Sequence, residues 1–346
     1  MNTKYHRHLL VIYHMDCIDG LASAWAVHCK WASDPNVRLD YIPYGHHNIE
    51  EAEKTIRNHL AAPDSADMID VVFVDVAPTR AFLTELLTPP ARATRVVVAD
   101  HHKSAADQLR GFEAPTHDGV PELHLRIDAA HPSAANMVWE YLFPDTDAPI
   151  FFQLIAKMDL GQNLLETEND YAAAALIDSK NITSIETAFQ SFMAMSHLEY
   201  QDMVALGRNI LSDQDTRISK LDDNIMYAQL QVAEAAAPVW VALVNADVQN
   251  FGRYISTWLV QQGAETGAGL GGAWYVQGNG SVTVSLRSDG TPDASAVAAH
   301  LCKCYGIRGG GHSTSAAVHF PTLTAFQQHV HLVSAQEMAR MRTAAV

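Results

Sequence analysis

The chain has 346 residues, of which 48% are hydrophobic and 18% charged, enough apolar material for a sizeable core and too little polarity for a disordered chain. Lys and Arg number 23 against 39 Asp and Glu, a net charge of −16, which speaks against a protein that coats nucleic acid or an anionic membrane. A metal-bridged anion site survives that exclusion, because bound cations reverse the local charge. No apolar run reaches the roughly 18 residues of a membrane span, and no cleavage signal follows the short apolar start, so no membrane partner is expected. Four cysteines, Cys17, Cys29, Cys302 and Cys304, do not form a zinc-finger pattern, and a reduced, cytoplasmic setting is expected.

In chain order, HLLVIY (His8 to Tyr13) predicts a strand, HMDCIDG a polar turn, and Leu21 to Lys30 a helix. Leu39 to Tyr44 is a second strand candidate, followed by His46-His47, which reads as a surface loop, and by a helical pattern over Ile49 to Leu60. Val71 to Val74 stops at Asp75, Arg80 to Leu87 is helical, and Val96 to Ala99 stops at Asp100. Apolar runs alternating with helices predict βαβ units and a parallel sheet, whose ligands collect at the carboxyl ends of strands. Ser133 to Leu142 and Ile150 to Met158 predict helices, the second ending at Asp159. From Thr183 to Ala236 the pattern reads as helical without strands, with Ser196 to Asp223 as one long connecting helix. Strands are predicted at Val239 to Val244, Ala273 to Gln277 and Val282 to Leu286, and helices at Phe251 to Gln262 and Ala294 to Cys304. The Gly-rich stretch 263–272 reads as a flexible hairpin loop, and Phe326 to Thr343 as one terminal helix. Trp25, Trp139 and Trp258 read as core, and Cys302 and Cys304, two apart on a helix, do not face each other. The expected class is α/β: a parallel-sheet domain at 1–195, a helical connector at 196–237, a smaller α/β domain at 238–325 and a terminal helix at 326–346. Between 238 and 320 the charges balance, four basic against four acidic, so almost all excess acid lies in the first 237 residues.

Four clusters carry chemistry. His14, Asp16 and Asp19 crowd one strand-to-helix turn, an arrangement that suits either a cation or a helix cap by Asp19. Asp75 ends a buried strand. Asp100-His101-His102 ends another. Asp159 ends a helix. Carboxylate and imidazole together suit Mn²⁺ and related divalent ions. Two such ions ~3.5–4 Å apart clamp a phosphoryl group, and holding them that close requires a shared carboxylate, for which Asp75 on a central strand is the natural candidate.

HMDCIDG, VDVAP, ADHHKSA and the Asp159 segment together resemble the four motifs of the DHH-family phosphoesterases, named for the triplet at 100–102. HPSAANMVWEYL, with Ser133, resembles the helix that follows the triplet, and SLRSDG and GGGHSTSAA resemble the DHH-associated domain. The resemblance runs in order over most of the chain. It implies metal ligands at His14, Asp16, Asp19, Asp75, His101 and Asp159, a ligand or orienting role for Asp100, and contact with the scissile phosphate by His102. It implies substrate binding by Arg287, Gly309, Gly310, Gly311 and His312. The glycines would let backbone N–H groups approach an anion, and Arg287 could grip a phosphate bidentately. The chain departs from the family in two places. Two residues separate Asp16 and Asp19 where many relatives have Asp-x-Asp, with Cys17 in that interval, and AAVHF stands for Ala-Ala-Gly-Phe.

The expected activity is hydrolysis of phosphodiester or phosphomonoester bonds by a water activated by two divalent ions, Mn²⁺ first, with Mg²⁺ or Co²⁺ as substitutes. The expected substrates are short oligonucleotides or small nucleotides held in an interdomain cleft. Long duplex DNA is excluded, since it needs a basic track. The oligomeric state stays open, a homodimer included. Two alternatives are a pyrophosphatase or short-polyphosphatase and a nucleotide-binding regulator with a decayed site.

Overall fold

A computed structural model describes residues 6–15, 17–45, 48–61, 68–89, 92–116, 118–160, 167–180, 182, 184–234, 236–248, 254–267 and 269–344. Asp16 and the His46-His47 pair lie outside them. The chain divides into two compact units, Met1–Arg208 and Asn209–Val346.

The first unit opens with β1 (Arg7–His14), α1 (Ile18–Trp31), β2 (Val37–Tyr44), α2 (Ile49–Ala61) and β3 (Met68–Val74). It continues with α3 (Arg80–Leu86), β4 (Arg95–Asp100), α4 (Lys103–Leu109) and β5 (Glu122–Ile127). The five strands form one parallel sheet in the order β2-β1-β3-β4-β5. The α/β class with a parallel sheet is therefore as the alternating pattern predicts. β5 is not apparent in the sequence: its residues are only partly buried, and ELHLRI carries three polar positions in six. Because β1 leads to β2 on one side and, through α2, to β3 on the other, the order reverses between β1 and β3, the place where open parallel sheets bind ligands.

The strands bury both faces. On one, Leu10, Ile12, Val71, Phe73, Val96 and Val98 pack on Phe82 and Leu83 of α3 and on Ile56 of α2. On the other lies α1, against α5 (Ala134–Leu142), α6 (Ile150–Leu160) and α8 (Ile185–Met195). There Trp25 stacks on Trp139 at 6.0 Å between ring centroids and meets Phe151, Phe152 and Phe192 edge-on or tilted. Trp25 and Trp139 are thus core, as expected. The helical middle adds α7 (Glu168–Asp178) and α9 (Tyr200–Asp222), the long helix foreseen in the connector. The division between units falls within α9.

The second unit departs from the expectation of helix up to Ala236. β6 (Met226–Leu230) is an edge strand, hidden from sequence reading because only Ala228 and Leu230 are buried. β7 (Val239–Asn245), α10 (Tyr254–Glu265), β8 (Leu270–Val276), β9 (Val282–Ser288) and α11 (Ala294–Tyr305) follow. β10 (Arg308–His312) and β11 (Ser315–Phe320) complete a mixed sheet ordered β10-β11-β9-β8-β7-β6. Among the described residues of 263–272, a helix end and a strand start stand where a flexible hairpin loop is expected. Gly263 belongs to α10 and Gly271 to β8, and a Cβ on Gly271 would lie 1.9 Å from the Leu259 carbonyl oxygen. These glycines let helix and strand backbones touch. The terminal segment is likewise two helices, α12 (Leu323–His329) and α13 (Ala335–Ala344). Val333 interrupts them by pairing antiparallel with Tyr227, each backbone N–H donating to the other's carbonyl at 2.8 Å. No helix among the described residues is long and apolar enough to cross a membrane.

Candidate metal centre

The sheet delivers its polar residues to one edge. His14 is the last residue of β1, Asp75 the first after β3, and Asp100 the last of β4. Cys17 is the N-cap residue of α1, Asp19 sits in its first turn, and Gly20 follows because a Cβ there would lie 2.3 Å from the His14 carbonyl oxygen. His102 is the N-cap residue of α4, and Asp159 lies in the last turn of α6. Among the described residues, these side chains fall into three overlapping groups whose ligand atoms lie within 4.8 Å of one another: His14, Cys17 and Asp75; Asp75, His101 and His102; Asp19, His101 and Asp159. Asp75 belongs to two groups and His101 to two.

Asp75 is the pivot. Its backbone has φ 60°, a left-handed conformation that Asp tolerates better than most residues and that is found at functional sites. The turn aims the carboxylate back across the strand ends. Oδ2 lies 3.3 Å from His14 Nδ1, and Oδ1 lies 3.4 Å from His101 Nε2 and 3.7 Å from His102 Nδ1. Burial opposes ionisation of Asp75, yet its neighbours His101 and His14 outweigh that and hold its pKa below the ordinary carboxylate value.

His101 is 3.4 Å from Asp159 Oδ2 and 3.6 Å from Asp19 Oδ2 as well, so its Nε2 faces three carboxylates. Its other nitrogen, Nδ1, lies 3.2 Å from the His131 carbonyl. A carbonyl can only accept, so Nδ1 carries a proton, and it is Nε2 that gives up the second proton and then turns a lone pair to the cluster, the tautomer a metal ligand needs. The Asp75 carboxylate, against the pull of burial, pushes the imidazolium pKa up to about 9.

Asp19 is fully buried and does double duty. Oδ1 accepts from Ser133 Oγ at 2.6 Å and from the Ala135 N–H at 3.1 Å, and Oδ2 accepts from the Ala134 N–H at 2.8 Å. The cap that the sequence offers as an alternative to a ligand is therefore present, but on the N-terminus of α5 rather than on α1. Oδ2 still reaches the cluster beside His101. Burial, then the Asp75 charge, pushes the Asp19 pKa up to about 7 despite those three bonds.

Asp100 stays outside the three groups. Its Oδ1 accepts from the His102 N–H at 3.0 Å and faces His102 Nδ1 at 2.7 Å, so Asp100 orients a histidine. That pairing leaves Nε2 as the other nitrogen of the His102 ring, which is T-stacked on His14 at 5.3 Å and partly exposed.

Cys17 is not among the expected ligands. Its thiol lies 3.8 Å from Asp159 Oδ1, and burial and the Asp75 charge raise its pKa. The only signal in the sequence is its position inside the first motif.

The donor set fits divalent cations. Asp75 Oδ1 and His101 Nε2 are both buried and face each other at 3.4 Å, too far for a full hydrogen bond, two ligand atoms turned inward at the heart of the cluster. Asp19, Asp75 and Asp159 crowd together, and burial, followed by the Asp75 charge, raises the Asp19 pKa, a cost that a bound cation would relieve. A fourth trio, His8, Asp40 and His59, lies toward the other end of β1. There the Arg38 guanidinium already holds Asp40 Oδ2 at 2.7 Å, and His8 Nε2 sits 2.8 Å from the same oxygen, so it is an ion-pair network.

No family model matches this chain, and no curated protein matches it. Among solved structures it is similar to an uncharacterized protein from Helicobacter pylori G27, with 15% identity over 90% of this chain and 92% of that one, at a TM-score of 0.36.

In the second unit, the Gly-Gly-Gly-His segment expected as a loop is the exposed edge strand β10. Its register places His312 opposite Ser315, and Ser315 opposite Arg287, so Arg287 and His312 share a cross-strand row two strands apart, roughly 10 Å at the backbone. Arg287 Nε donates to Ser256 Oγ at 2.9 Å and Nη1 to the Leu286 carbonyl at 2.8 Å. Gly309 and Gly311 have a steric reason to be glycine, since a Cβ on either would lie 2.4 Å from a β11 carbonyl oxygen. Gly310 has none, with nothing within 4 Å of its would-be Cβ.

Proposed function

We propose that this protein is a metal-dependent phosphoesterase that hydrolyses phosphoester bonds in short oligonucleotides or small nucleotides. The observation that carries this reading is the position of Asp75: one carboxylate, set by a left-handed turn at the reversal of strand order, faces two ligand groups at once. Two divalent cations held there, with Mn²⁺ best matched to the mixed oxygen and nitrogen donors, would polarise a phosphoryl group and acidify a water.

The residues around them have distinct work. His14, Asp75, His101, Asp19 and Asp159 hold the cations, and Cys17 adds a sulfur donor beside His14. Asp16, in the same motif, is assigned to the ligand set with them. His131, through its carbonyl, fixes the His101 tautomer, and Ser133 ties Asp19 in place. Asp100 holds His102 at Nδ1, so that Nε2 can donate to a phosphate oxygen as charge develops on it. In the second unit, Arg287, the Gly309, Gly310 and Gly311 backbone and His312 form the anion-holding row for the substrate. The scarcity of Lys and Arg there, where a pyrophosphate product site would need several, favours the nucleotide reading over pyrophosphate. The acidic surface favours short substrates over duplex DNA.

The test is a hydrolysis panel in Mn²⁺: bis-p-nitrophenyl phosphate, a labelled dinucleotide and five-mer, cyclic di-AMP, 3′-phosphoadenosine 5′-phosphate, pyrophosphate and a long duplex. Activity on a nucleotide substrate that disappears in His101→Ala is expected. Hydrolysis of pyrophosphate alone would move the assignment to a pyrophosphatase. Silence across the panel with Mn²⁺ still bound would make the protein a nucleotide-binding regulator.

A further inference from the structure

The first unit contains a cavity whose charged end lies at the amino ends of the strands. It measures about 300 Å³, within the range of small-ligand sites, ~300–1,000 Å³. The sheet side of it follows the two-residue period of strands: Leu9 from β1, Val72 and Val74 from β3, Val97 and Ala99 from β4. The helix side is Val27 of α1 with Val138 and Leu142 of α5. The cause of the void is visible in these side chains. On the opposite face the same strands carry Phe73, Val96 and Val98, filled in by Phe82 and Leu83. On this face β4 offers only Val97 and Ala99, which leave the layer under α1 and α5 short of volume.

The mouth is charged, and unevenly. Arg7, Lys30 and Arg95 line it with a single carboxylate, Asp70, a local net charge of +2 in a chain of −16. The Arg7 Nε–H donates to Asp70 Oδ2 at 2.7 Å and a second Arg7 N–H donates to the same oxygen, while Arg95 Nη2 reaches it at 3.0 Å. One carboxylate oxygen therefore serves two half-buried guanidinium groups. Trp31 and Tyr141 form the aromatic part of the rim, each under a guanidinium: Arg7 lies 4.7 Å from the Trp31 ring centroid and Arg126 4.1 Å from that of Tyr141. Lys30 is exposed, its amine 4.9 Å from the Phe143 ring centroid, so the half-buried groups are two guanidiniums on one carboxylate, a surplus of one cation that is costly unless a counter-charge completes it. An apolar chamber behind such a mouth selects a ligand with an anionic head and an apolar body.

We propose that this cavity is a binding site for a small amphipathic carboxylate of medium-chain fatty-acid type. The carboxylate lies between Arg95, Arg7 and Lys30, and the tail runs along Val72, Val97 and Val27 toward Val74 and Ala99. Val74 and Ala99 immediately precede Asp75 and Asp100, and the Asp75 N–H donates to the Ala99 carbonyl at 2.9 Å. The tail thus ends beneath the backbone that carries the metal centre, while the head lies at the other end of the strands. Nothing in the cavity depends on the chemistry of the metal centre.

The probe is decanoate, titrated into the full-length protein by calorimetry, with decan-1-ol as the neutral analogue. Saturable binding of one decanoate per chain is expected, at least tenfold tighter than the alcohol. Val97→Phe, which fills the chamber, abolishes binding of both. Arg95→Met leaves Asp70 its Arg7 partner and weakens decanoate at least tenfold while leaving the alcohol unchanged. Thermal unfolding of each variant checks the fold, and Val27→Phe fills the chamber from the helix side should Val97→Phe not fold. A diazirine-bearing decanoate labels peptides of β3, β4 or α5 after photolysis. Absence of saturable binding to the wild-type protein, undiminished affinity in a chamber-filling variant that folds, or equal affinity for acid and alcohol each overturns the proposal.

Discussion

Asp75 shows how much of a site can rest on one backbone angle. A carboxylate in ordinary extended geometry at the end of β3 would continue the strand's alternation, whereas φ 60° turns it back over the strand ends between His14 and His101. Asn tolerates the same left-handed geometry, so Asp75→Asn removes the charge without the turn. Mn²⁺ content, measured by mass spectrometry after gel filtration, is expected to fall below that of the wild type by at least one ion per chain, and kcat/KM by about 10²–10³-fold or more, the scale of losing one transition-state contact. Unchanged metal content would mean that Asp75 does not bridge. Ser133 offers a subtler case. It caps α5, accepting from the Asn136 N–H, and also donates to Asp19. Ser133→Ala is expected to cost about 1–2 kcal/mol in chemical denaturation as a lost cap, and to weaken Mn²⁺ binding about 10–100-fold by loosening a ligand from behind. A stability loss with full metal affinity would confine Ser133 to capping. His14, Asp75, His101 and Asp159 are legible in the sequence because each is a ligand-type residue at or just past the end of an apolar run. The parts played by Cys17, the His131 carbonyl and the Asp19 cap on a distant helix are not, because those contacts join residues more than a hundred positions apart or depend on backbone atoms that every residue shares.

At the scale of elements, glycine is where sequence reading goes astray, and for a physical reason. A run of glycines looks the same whether it supplies flexibility or removes side chains so that two backbones can touch. In 263–272 it does the second. Gly271→Ala would drive a Cβ into the Leu259 carbonyl and is expected to destabilise the second unit by about 1–3 kcal/mol, the usual scale of overpacking. The Gly309–Gly311 segment mixes both cases. Gly309 and Gly311 are sterically required by the pairing with β11, and substituting them would report only on the fold. Gly310 is free of that constraint. Gly310→Ala is therefore expected to leave the thermal midpoint unchanged while raising KM for a nucleotide substrate severalfold, because the methyl group keeps the phosphate from the backbone. An unaltered KM would remove β10 from the substrate site. The strands that escape notice, β5 and β6, lie at sheet edges, where half the side chains face water and the apolar signal thins out.

For the whole molecule, the excess of acid in the first 237 residues makes stability, protonation and metal one linked problem. In the metal-free protein the carboxylate cluster must be neutralised by protons. His101 is raised from the ordinary 6.5 to about 9, so its contribution to stability is complete below 6.5 and is lost as pH climbs through about 9. Asp19, raised from 3.8 to about 7, favours the fold when protonated, and that contribution is already gone above about 7. Both act in the same sense. Between pH 7 and 9 the His101 proton is the one still being lost, and the metal-free protein is expected to show a falling thermal midpoint across that window. Divalent cations take the place of those protons, and their apparent affinity should rise with pH as the ligands deprotonate. Saturating Mn²⁺ is thus expected to raise the midpoint at every pH, and by more at pH 9 than at pH 7. His101→Ala in the metal-free state should flatten the pH slope, since the group that titrates has been removed. If the slope persists in that variant, the proton reservoir lies elsewhere, and the cluster is not the charge-deficient cradle that its orphaned Asp75 and His101 atoms indicate.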